Sequence, residues 1–228
     1  MTYSRYAIYY TLPDGPLARF GAAWLGWDAA TGQTTLPPDL PGLPIPAHDI
    51  TATPRKYGLH ATIKPPFRLA EGMTADQLHS AFAAFCTTQP KVTLDALALT
   101  HLGRFLALTP TGDTTALSDL AAQAVQQLDS FRAPPTEAEL TRRKAANLNP
   151  RQSELLDLYG YPYVMEAFRF HITLSGKLPP DQLTQIDAAL RTPLAPLLPA
   201  PFEIDALTLC GEDADGRFHE LERLRLLG

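Results

Sequence analysis

Two copies of a His-x-Thr pair mark the residues of this chain whose types and spacing could do chemistry. The first is His60 with Thr62, in KYGLHATIKPPF, and the second is His171 with Thr173, in AFRFHITLSGKL. Both stretches have the apolar, alternating pattern that predicts a β-strand. Side chains two residues apart in a strand point to the same face of the sheet. Each pair is therefore expected to present an imidazole beside a hydroxyl, with its apolar neighbours on the opposite face.

Two such pairs facing each other across a cleft would suit the cleavage of a phosphodiester. An imidazole can act as a general base or a general acid near neutral pH. One histidine can take a proton from the nucleophile while the other gives a proton to the leaving oxygen. The threonine hydroxyls can donate hydrogen bonds to the phosphoryl group between them. This scheme needs neither a metal nor an organic cofactor.

The chain contains an internal repeat that places both motifs in equivalent positions. Each motif is followed by a helix signal that carries Asp-Gln-Leu in its first turn, at 76–78 and 181–183. Each helix signal is followed by a predicted strand that contains Asp-Ala-Leu-x-Leu, at 95–99 and 205–209. A strand and an amphipathic helix precede each motif. The order of these elements predicts a duplicated unit of about a hundred residues.

The repeat predicts an α+β fold made of two related lobes. The lobes are expected over about residues 3–100 and 103–228, within one bilobal domain of residues 1–228. Alternating helices and strands with antiparallel returns favour two sheets rich in antiparallel strands, with helices on the outside and a central cleft. Each lobe would contribute one His-x-Thr pair to that cleft. Residues 136–164 have no counterpart in the first half and are predicted to be an insert.

These motifs resemble those of the two-histidine (2H) phosphoesterase superfamily, which includes RNA 2′,3′-cyclic phosphodiesterases. The stretches YGLHATIKPPFRL and RQSELLDLYGYPYVMEAFRFHITLSGKL are similar to one bacterial branch, described as phosphonate-metabolism proteins and associated with carbon–phosphorus lyase genes. The resemblance covers nearly the whole chain. It implies the duplicated bilobal fold, and cleavage of a small or cyclic phosphodiester by His60, Thr62, His171 and Thr173 without a metal.

Four residues near the motifs are candidates for binding the substrate. Arg55 and Tyr57 precede the first motif, Lys64 follows it, and Arg169 lies two residues before His171. Arginine offers a bidentate contact to phosphate, and lysine offers a point charge. Strand alternation places Tyr57 on the opposite face from the motif, so its participation requires a bend near Gly58.

The insert at 136–164 supplies the remaining candidates. It begins as a charged helix, ends in an aromatic turn, and holds the only basic cluster of the chain, which consists of Arg142, Arg143, Lys144 and Arg151. The functional interpretation is a lid whose cations, Arg143 and Lys144, meet substrate phosphates while Tyr161 and Tyr163 pack a sugar or base. The alternative is an ordinary solvated helix face.

The composition limits the partners of the chain. It has 228 residues, a net charge of −5, 45% hydrophobic residues and 19% charged residues. The acidic balance argues against a large RNA partner, although a short RNA end stays possible. No apolar run could span a membrane and no signal peptide is evident, so we expect a cytoplasmic protein with no membrane association. A monomer is the default expectation, with a small phosphorylated molecule as substrate.

Three functions stay open on the sequence alone. The first is hydrolysis of a small cyclic phosphodiester, such as a phosphoribosyl cyclic phosphate formed in phosphonate degradation. The second is RNA-end processing, either as a 2′,3′-cyclic phosphodiesterase or as a 2′–5′ ligase. The third is a non-catalytic nucleotide-binding protein that retains the cleft. The sequence does not decide which histidine is the base and which the acid.

Overall fold

The computed structural model describes residues 2–145 and 147–228. The strands are β1 (Arg5–Thr11), β2 (His60–Phe67), β3 (Val92–Leu94), β4 (Ala96–Leu102), β5 (Phe105–Thr111), β6 (Ile172–Thr173), β7 (Phe202–Ile204), β8 (Ala206–Glu212) and β9 (Phe218–Arg225). The helices are α1 (Pro16–Leu25), α2 (Ala47–Ile50), α3 (Ala75–Thr88), α4 (Thr115–Gln127), α5 (Glu137–Lys144), α6 (Pro150–Tyr159) and α7 (Pro180–Leu194). No helix in these two ranges combines the length and the apolar character needed to cross a membrane.

The strands form one large antiparallel sheet and one small one. The large sheet has the order β4-β5-β6-β2-β1-β8-β9, and β3 pairs with β7 in the small sheet. The predicted α+β class is confirmed. The main sheet runs through both halves of the chain, whereas the sequence predicted one sheet for each lobe. The two halves join because β2 and β6 pair directly, at Ala61 and Ile172.

The last strand of each predicted repeat pairs with a strand of the other repeat. Strand β4 pairs with β5 along its whole length, from Ala96 opposite Thr111 to Leu102 opposite Phe105. Only two residues connect these strands, and Gly103 adopts a φ of 61° there. A two-residue turn of this kind forces its flanking strands to pair as a hairpin. In the other half of the sheet, β8 of the second predicted repeat pairs with β1 of the first.

Helices cover one face of the large sheet and leave the motif face accessible. The main core cluster contains Ala61, Ile63, Phe170, Ile172 and Leu174, the residues that alternate with the motif residues. Apolar side chains of α1, α3, α4 and α7 pack against the same face. The alternation in the sequence therefore matches the structure: the apolar residues of the motif strands face the helices, and the His-x-Thr residues lie on the opposite face of the sheet.

The insert lies against α4. Helix α5 is capped by Thr136 and helix α6 by Asn149, each in a capping box that satisfies backbone N–H groups at the helix start. Leu155 of α6 is fully buried and packs with Val125 of α4 and with Val164. This contact anchors the insert to α4.

Candidate active site

The pairing of β2 with β6 brings the two motifs together. The strands are antiparallel with Ala61 opposite Ile172. This register places His60 across from Thr173 and Thr62 across from His171. Side chains that are diagonal neighbours on one face of an antiparallel pair have Cα atoms about 7–8 Å apart. The two imidazoles therefore flank a space in which two hydroxyls also converge.

Both histidines are held in the same way by the backbone. Nδ1 of His60 lies 3.0 Å from the carbonyl oxygen of Gly58, and Nδ1 of His171 lies 2.7 Å from the carbonyl oxygen of Arg169. A carbonyl oxygen only accepts hydrogen bonds, so Nδ1 carries the proton in each ring. In the neutral form of either ring, Nε2 is then the atom that can accept a proton. Nε2 of His60 lies 3.3 Å from Oγ1 of Thr62, whose hydroxyl donates to it.

The surroundings of the two rings differ. The ring centroid of His60 lies 4.0 Å from that of Tyr9 and 5.6 Å from that of Tyr57. His171 contacts one aromatic ring, that of Phe105, at 5.8 Å. Burial lowers the pKa of His60 to about 4, and the nearby His171 lowers it further, against the raising effect of the Gly58 carbonyl. His60 is therefore a neutral imidazole at pH 7.

A sharp bend at Gly58 brings Tyr57 to the site. A short 3₁₀ turn ends at Tyr57, and Gly58 follows with φ 69° and ψ 178°. Glycine suits this position because a Cβ atom at Gly58 would lie 2.8 Å from the Cβ of Ala29. The bend that the sequence required for Tyr57 thus occurs, and the same glycine supplies the carbonyl that holds His60.

Two cavities meet at the motifs. One has a volume of about 440 Å³, and its walls include His60 and Thr173. The other has a volume of 960 Å³, and its walls include His171. We call them the His60-side cavity and the His171-side cavity. Thr62 and Tyr161 line both of them, so the cavities form one cleft that runs past both histidines.

Most of the predicted binding residues line this cleft. Tyr57 and Arg143 lie in the His60-side cavity. Arg169 and Tyr163 lie in the His171-side cavity, and Tyr161 borders both. The guanidinium carbon of Arg143 lies 4.7 Å from the ring centroid of Tyr161, which is a cation–π contact. The insert therefore contributes both a cation and aromatic rings to the cleft.

Three predicted binding residues lie elsewhere. Arg55 donates to the backbone oxygens of Leu25 and His48, so it joins the end of α1 to α2. The ammonium of Lys144 lies 3.9 Å from Asp157. Neither residue lines the two cavities, nor does Lys64, and their role in substrate binding stays a prediction that their positions do not favour.

Lys64 is buried under the sheet because β2 contains a bulge. Thr62 pairs with Tyr9 but Lys64 pairs with Ile8, so the strand carries one extra residue between them. A bulge interrupts the alternation of faces. The Lys64 ammonium is thereby placed 3.0 Å from the carbonyl oxygen of Val125 and 3.2 Å from Asp129. Burial lowers its pKa to about 8, although Asp129 favours the charged form.

Sequence reasoning missed several residues of the cleft. Arg5 and Tyr9 line the His60-side cavity together with Arg142 of the predicted basic cluster, and Phe105 lines the His171-side cavity. Arg5 and Tyr9 both lie on β1, which pairs with β2. Their spacing of four residues in a strand was the available signal, since it puts both on one face. In the two described ranges, no group of three or more His, Cys, Asp or Glu side chains is arranged to hold a metal ion.

The chain is similar to two sets of known proteins, which are named relatives in sequence and solved structures. The chain is 40% identical over 232 residues to "Ribose 1,5-bisphosphate phosphokinase PhnN" of Janthinobacterium sp. (strain Marseille), with 99% of this chain and 51% of that protein covered. It is 35% identical over 184 residues to the protein of the same name from Laribacter hongkongensis (strain HLHK9), with 76% and 40% covered. The chain thus spans about half the length, or less, of the curated relatives it matches.

Solved structures that match the chain include a phosphoesterase, at 19% identity and a TM-score of 0.42, with each chain fully covered. E. coli LigT complexed with 3′-AMP matches at 18% identity and a TM-score of 0.44, again over 100% of each chain. A protein-family model, described as "Protein of unknown function (DUF1045)", matches residues 62–219. Since this match extends over more than half of the sequence, the chain belongs to the DUF1045 family.

Proposed function

We propose that this chain is a metal-independent phosphodiesterase that hydrolyses a small cyclic phosphodiester in the cleft between His60 and His171. The observation that carries the proposal is the matched pair of imidazoles on adjacent strands. Each has its Nδ1 proton held by a backbone carbonyl two residues earlier, which leaves Nε2 for proton transfer. A base and an acid on opposite sides of one phosphorus are what hydrolysis of a diester requires.

The chain's residues divide the reaction between them. His60, neutral at pH 7, takes a proton from water as the water oxygen attacks phosphorus. His171 acts from its doubly protonated form: it keeps the Nδ1 proton on the Arg169 carbonyl and gives its Nε2 proton to the leaving oxygen as the bond from that oxygen to phosphorus breaks. The hydroxyls of Thr62 and Thr173 donate to the non-bridging oxygens, on which negative charge accumulates, and the Thr62 hydroxyl must turn away from Nε2 of His60 to do so. One water is consumed, and the products are a phosphate monoester and a free hydroxyl.

The finer part of the proposal is the substrate, a phosphoribosyl cyclic phosphate. Hydrolysis of 5-phosphoribosyl 1,2-cyclic phosphate at the bond between phosphorus and O2 would give ribose 1,5-bisphosphate. That product is the compound named in "Ribose 1,5-bisphosphate phosphokinase", the name of the relatives whose sequences match this chain over part of their length. A chain that produces the substrate of such a kinase would have a chemical reason to share a polypeptide with it.

The proposal is tested by a turnover assay in the presence of EDTA, followed by ³¹P NMR so that the opened bond is identified. The panel contains 5-phosphoribosyl 1,2-cyclic phosphate and the nucleoside 2′,3′-cyclic phosphates. His60→Ala and His171→Ala are each expected to lower turnover by about 10²–10⁴-fold, the usual contribution of a general acid or base. His48→Ala is the matched control, because the His48 side chain is 69% exposed and lies outside the cleft.

The outcomes separate the three functions. Turnover of the phosphoribosyl substrate that both cleft variants lose supports the full proposal. Turnover restricted to the nucleoside cyclic phosphates would move the activity to RNA ends. If both variants kept full turnover on any substrate, the two-histidine mechanism would be refuted. Binding of these molecules without turnover would indicate the non-catalytic function.

A further inference from the structure

The His60-side cavity contains two hydrogen-bond donors that lack an acceptor. In the described ranges, three buried side-chain polar atoms have no hydrogen-bond partner: Oη of Tyr9, Nε of Arg143 and Nε of Arg223. Tyr9 and Arg143 both line the His60-side cavity. A buried donor without a partner is costly and uncommon in a folded protein. Two of them in one cavity indicate that an acceptor belongs there.

Arg143 is well placed to bind an anion. Its side chain is half-buried and packs on the face of Tyr161. Among residues 2–145 and 147–228, no carboxylate forms an ion pair with Arg143. Burial, the largest cause, and the positive charges of Arg142 and Arg5 lower its pKa, against the raising effects of Tyr161 and Glu139. A phosphate group at this position would compensate the lost hydration of the guanidinium and offset the repulsion.

The Tyr9 hydroxyl adds a neutral donor on the cavity floor. The ring of Tyr9 is packed between His60, at 4.0 Å, and Phe218, at 5.6 Å, so it cannot swing out to solvent without losing both contacts. Burial raises its pKa well above the usual range for tyrosine, so the hydroxyl keeps its proton and stays a donor. An oxygen-rich anion is the acceptor that suits this donor and the Arg143 guanidinium together.

This pair of donors is separate from the scissile position. A phosphorus atom that both histidines reach must lie where the two cavities meet, near Thr62. His171 does not line the His60-side cavity, whereas Arg143, Tyr9 and Arg5 do. Arg5 itself is held by a bidentate ion pair with Glu212, so it supplies charge to the cavity wall without leaving its partner.

We infer that Arg143 and the Tyr9 hydroxyl form a subsite for a second phosphate of the substrate, a phosphate monoester that is distinct from the scissile diester. The inference rests on the proposed function for its place in the reaction, but the subsite is a binding site in its own right. It defines the substrate class as cyclic phosphodiesters that carry a separate terminal monophosphate. Nucleoside 2′,3′-cyclic phosphates without a 5′-phosphate fall outside that class.

The first test measures binding and needs no turnover. Isothermal titration calorimetry compares ribose 5-phosphate with ribose, which differ only in the phosphate monoester. Wild type is expected to bind ribose 5-phosphate at least tenfold more tightly than ribose. Arg143→Gln should weaken the ribose 5-phosphate affinity by about 10–100-fold, the effect of losing a hydrogen-bonded charge, and Tyr9→Phe by about 3–10-fold. Lys144→Gln removes the same charge from the same helix outside the cleft, and is expected to bind like wild type.

The second test compares turnover of a nucleoside 2′,3′-cyclic phosphate with and without a 5′-phosphate. The 5′-phosphate should raise kcat/KM in wild type, and Arg143→Gln should abolish that advantage by lowering kcat/KM at least tenfold more for the phosphorylated substrate than for the unphosphorylated one. Equal losses on both substrates would mean that Arg143 contacts the scissile phosphate, which overturns the inference. Unchanged ribose 5-phosphate binding in Arg143→Gln, or equal affinity of wild type for the two sugars, would also overturn it. Absence of turnover together with phosphate-dependent binding would refute the proposed function and retain the subsite.

Discussion

Replacing His60 by glutamine should make the protein less sensitive to acid, because the folded state resists protonation of this ring. The ring is enclosed by Tyr9 and Tyr57, and burial lowers its pKa to about 4. In the unfolded chain the pKa of histidine is about 6.5. Between pH 6.5 and pH 4 the unfolded state therefore binds more protons than the folded state. The free energy of unfolding of wild type must fall as the pH falls through this window.

The size of the effect follows from the two pKa values. At pH 5, the difference in protonation of His60 amounts to about 2 kcal/mol, with each pKa unit worth about 1.4 kcal/mol. The edge of the ring reaches solvent, which reduces the penalty, so we expect about 1–2 kcal/mol. Glutamine is uncharged at both pH values, and His60→Gln removes this contribution while other titrating groups contribute equally to both proteins.

The assay is urea unfolding of wild type and His60→Gln at pH 7 and pH 5. Wild type should lose about 1–2 kcal/mol more than the variant between the two pH values. His48→Gln, which changes a largely exposed histidine, should keep the wild-type pH dependence. A direct titration of His60 by NMR gives an independent check. Identical pH dependence in wild type and His60→Gln, or a His60 that titrates near 6.5, would refute the argument that the aromatic enclosure keeps this ring neutral.

Two further predictions concern β2 and the residues before it. Gly58→Ala should lower the free energy of unfolding by about 1–3 kcal/mol and also lower turnover, because the new Cβ meets Ala29 and the backbone that holds His60 must shift. Gly42→Ala has the same unfavourable φ with nothing within 4 Å, so in urea unfolding and turnover assays it should show only the smaller stability loss. Lys64→Met should leave KM and kcat within about twofold of wild type, because a phosphate contact would be worth about tenfold or more and Lys64 lies under the sheet. A tenfold rise in KM for Lys64→Met would place the ammonium at the substrate after all.

The sequence predicted the layering of the sheet and the convergence of the motifs because both depend on local alternation. Ala61 and Ile172 face the core, as the apolar positions of the two motifs require, and the motif residues occupy the other face. The two predicted regions of the insert also form as expected, a charged helix over Glu137–Lys144 and an aromatic turn after α6. These features are local in sequence, and periodicity is a direct measure of them.

The features that the sequence did not predict depend on backbone irregularity and on pairing between distant strands. The bulge in β2 adds one residue between Thr62 and Lys64, and this residue alone decides that Lys64 lies under the sheet. Simple alternation would have placed the Lys64 side chain on the same face of the sheet as His60. The two-residue connection after β4, with Gly103 at its turn, is a hairpin signal in the sequence. The internal repeat instead favoured a boundary between two lobes at this position. Arg5 and Tyr9 join the cleft only because β1 pairs with β2.

The two His-x-Thr motifs share one backbone contact, as the predicted duplication would require, whereas the residues around the two histidines differ. The two motifs repeat the same backbone contact, a carbonyl that fixes the Nδ1 proton, so the histidines begin as equivalent groups. The rings packed against them make the two histidines different: Tyr9 and Tyr57 enclose His60, whereas within residues 2–145 and 147–228 one aromatic ring, that of Phe105, contacts His171. The insert adds Arg143 to the cavity on the His60 side only. The proposed hydrolysis of an unsymmetrical cyclic diester needs a defined base, a defined acid and a fixed substrate orientation, and the residues by which the two halves differ are the ones that would provide them.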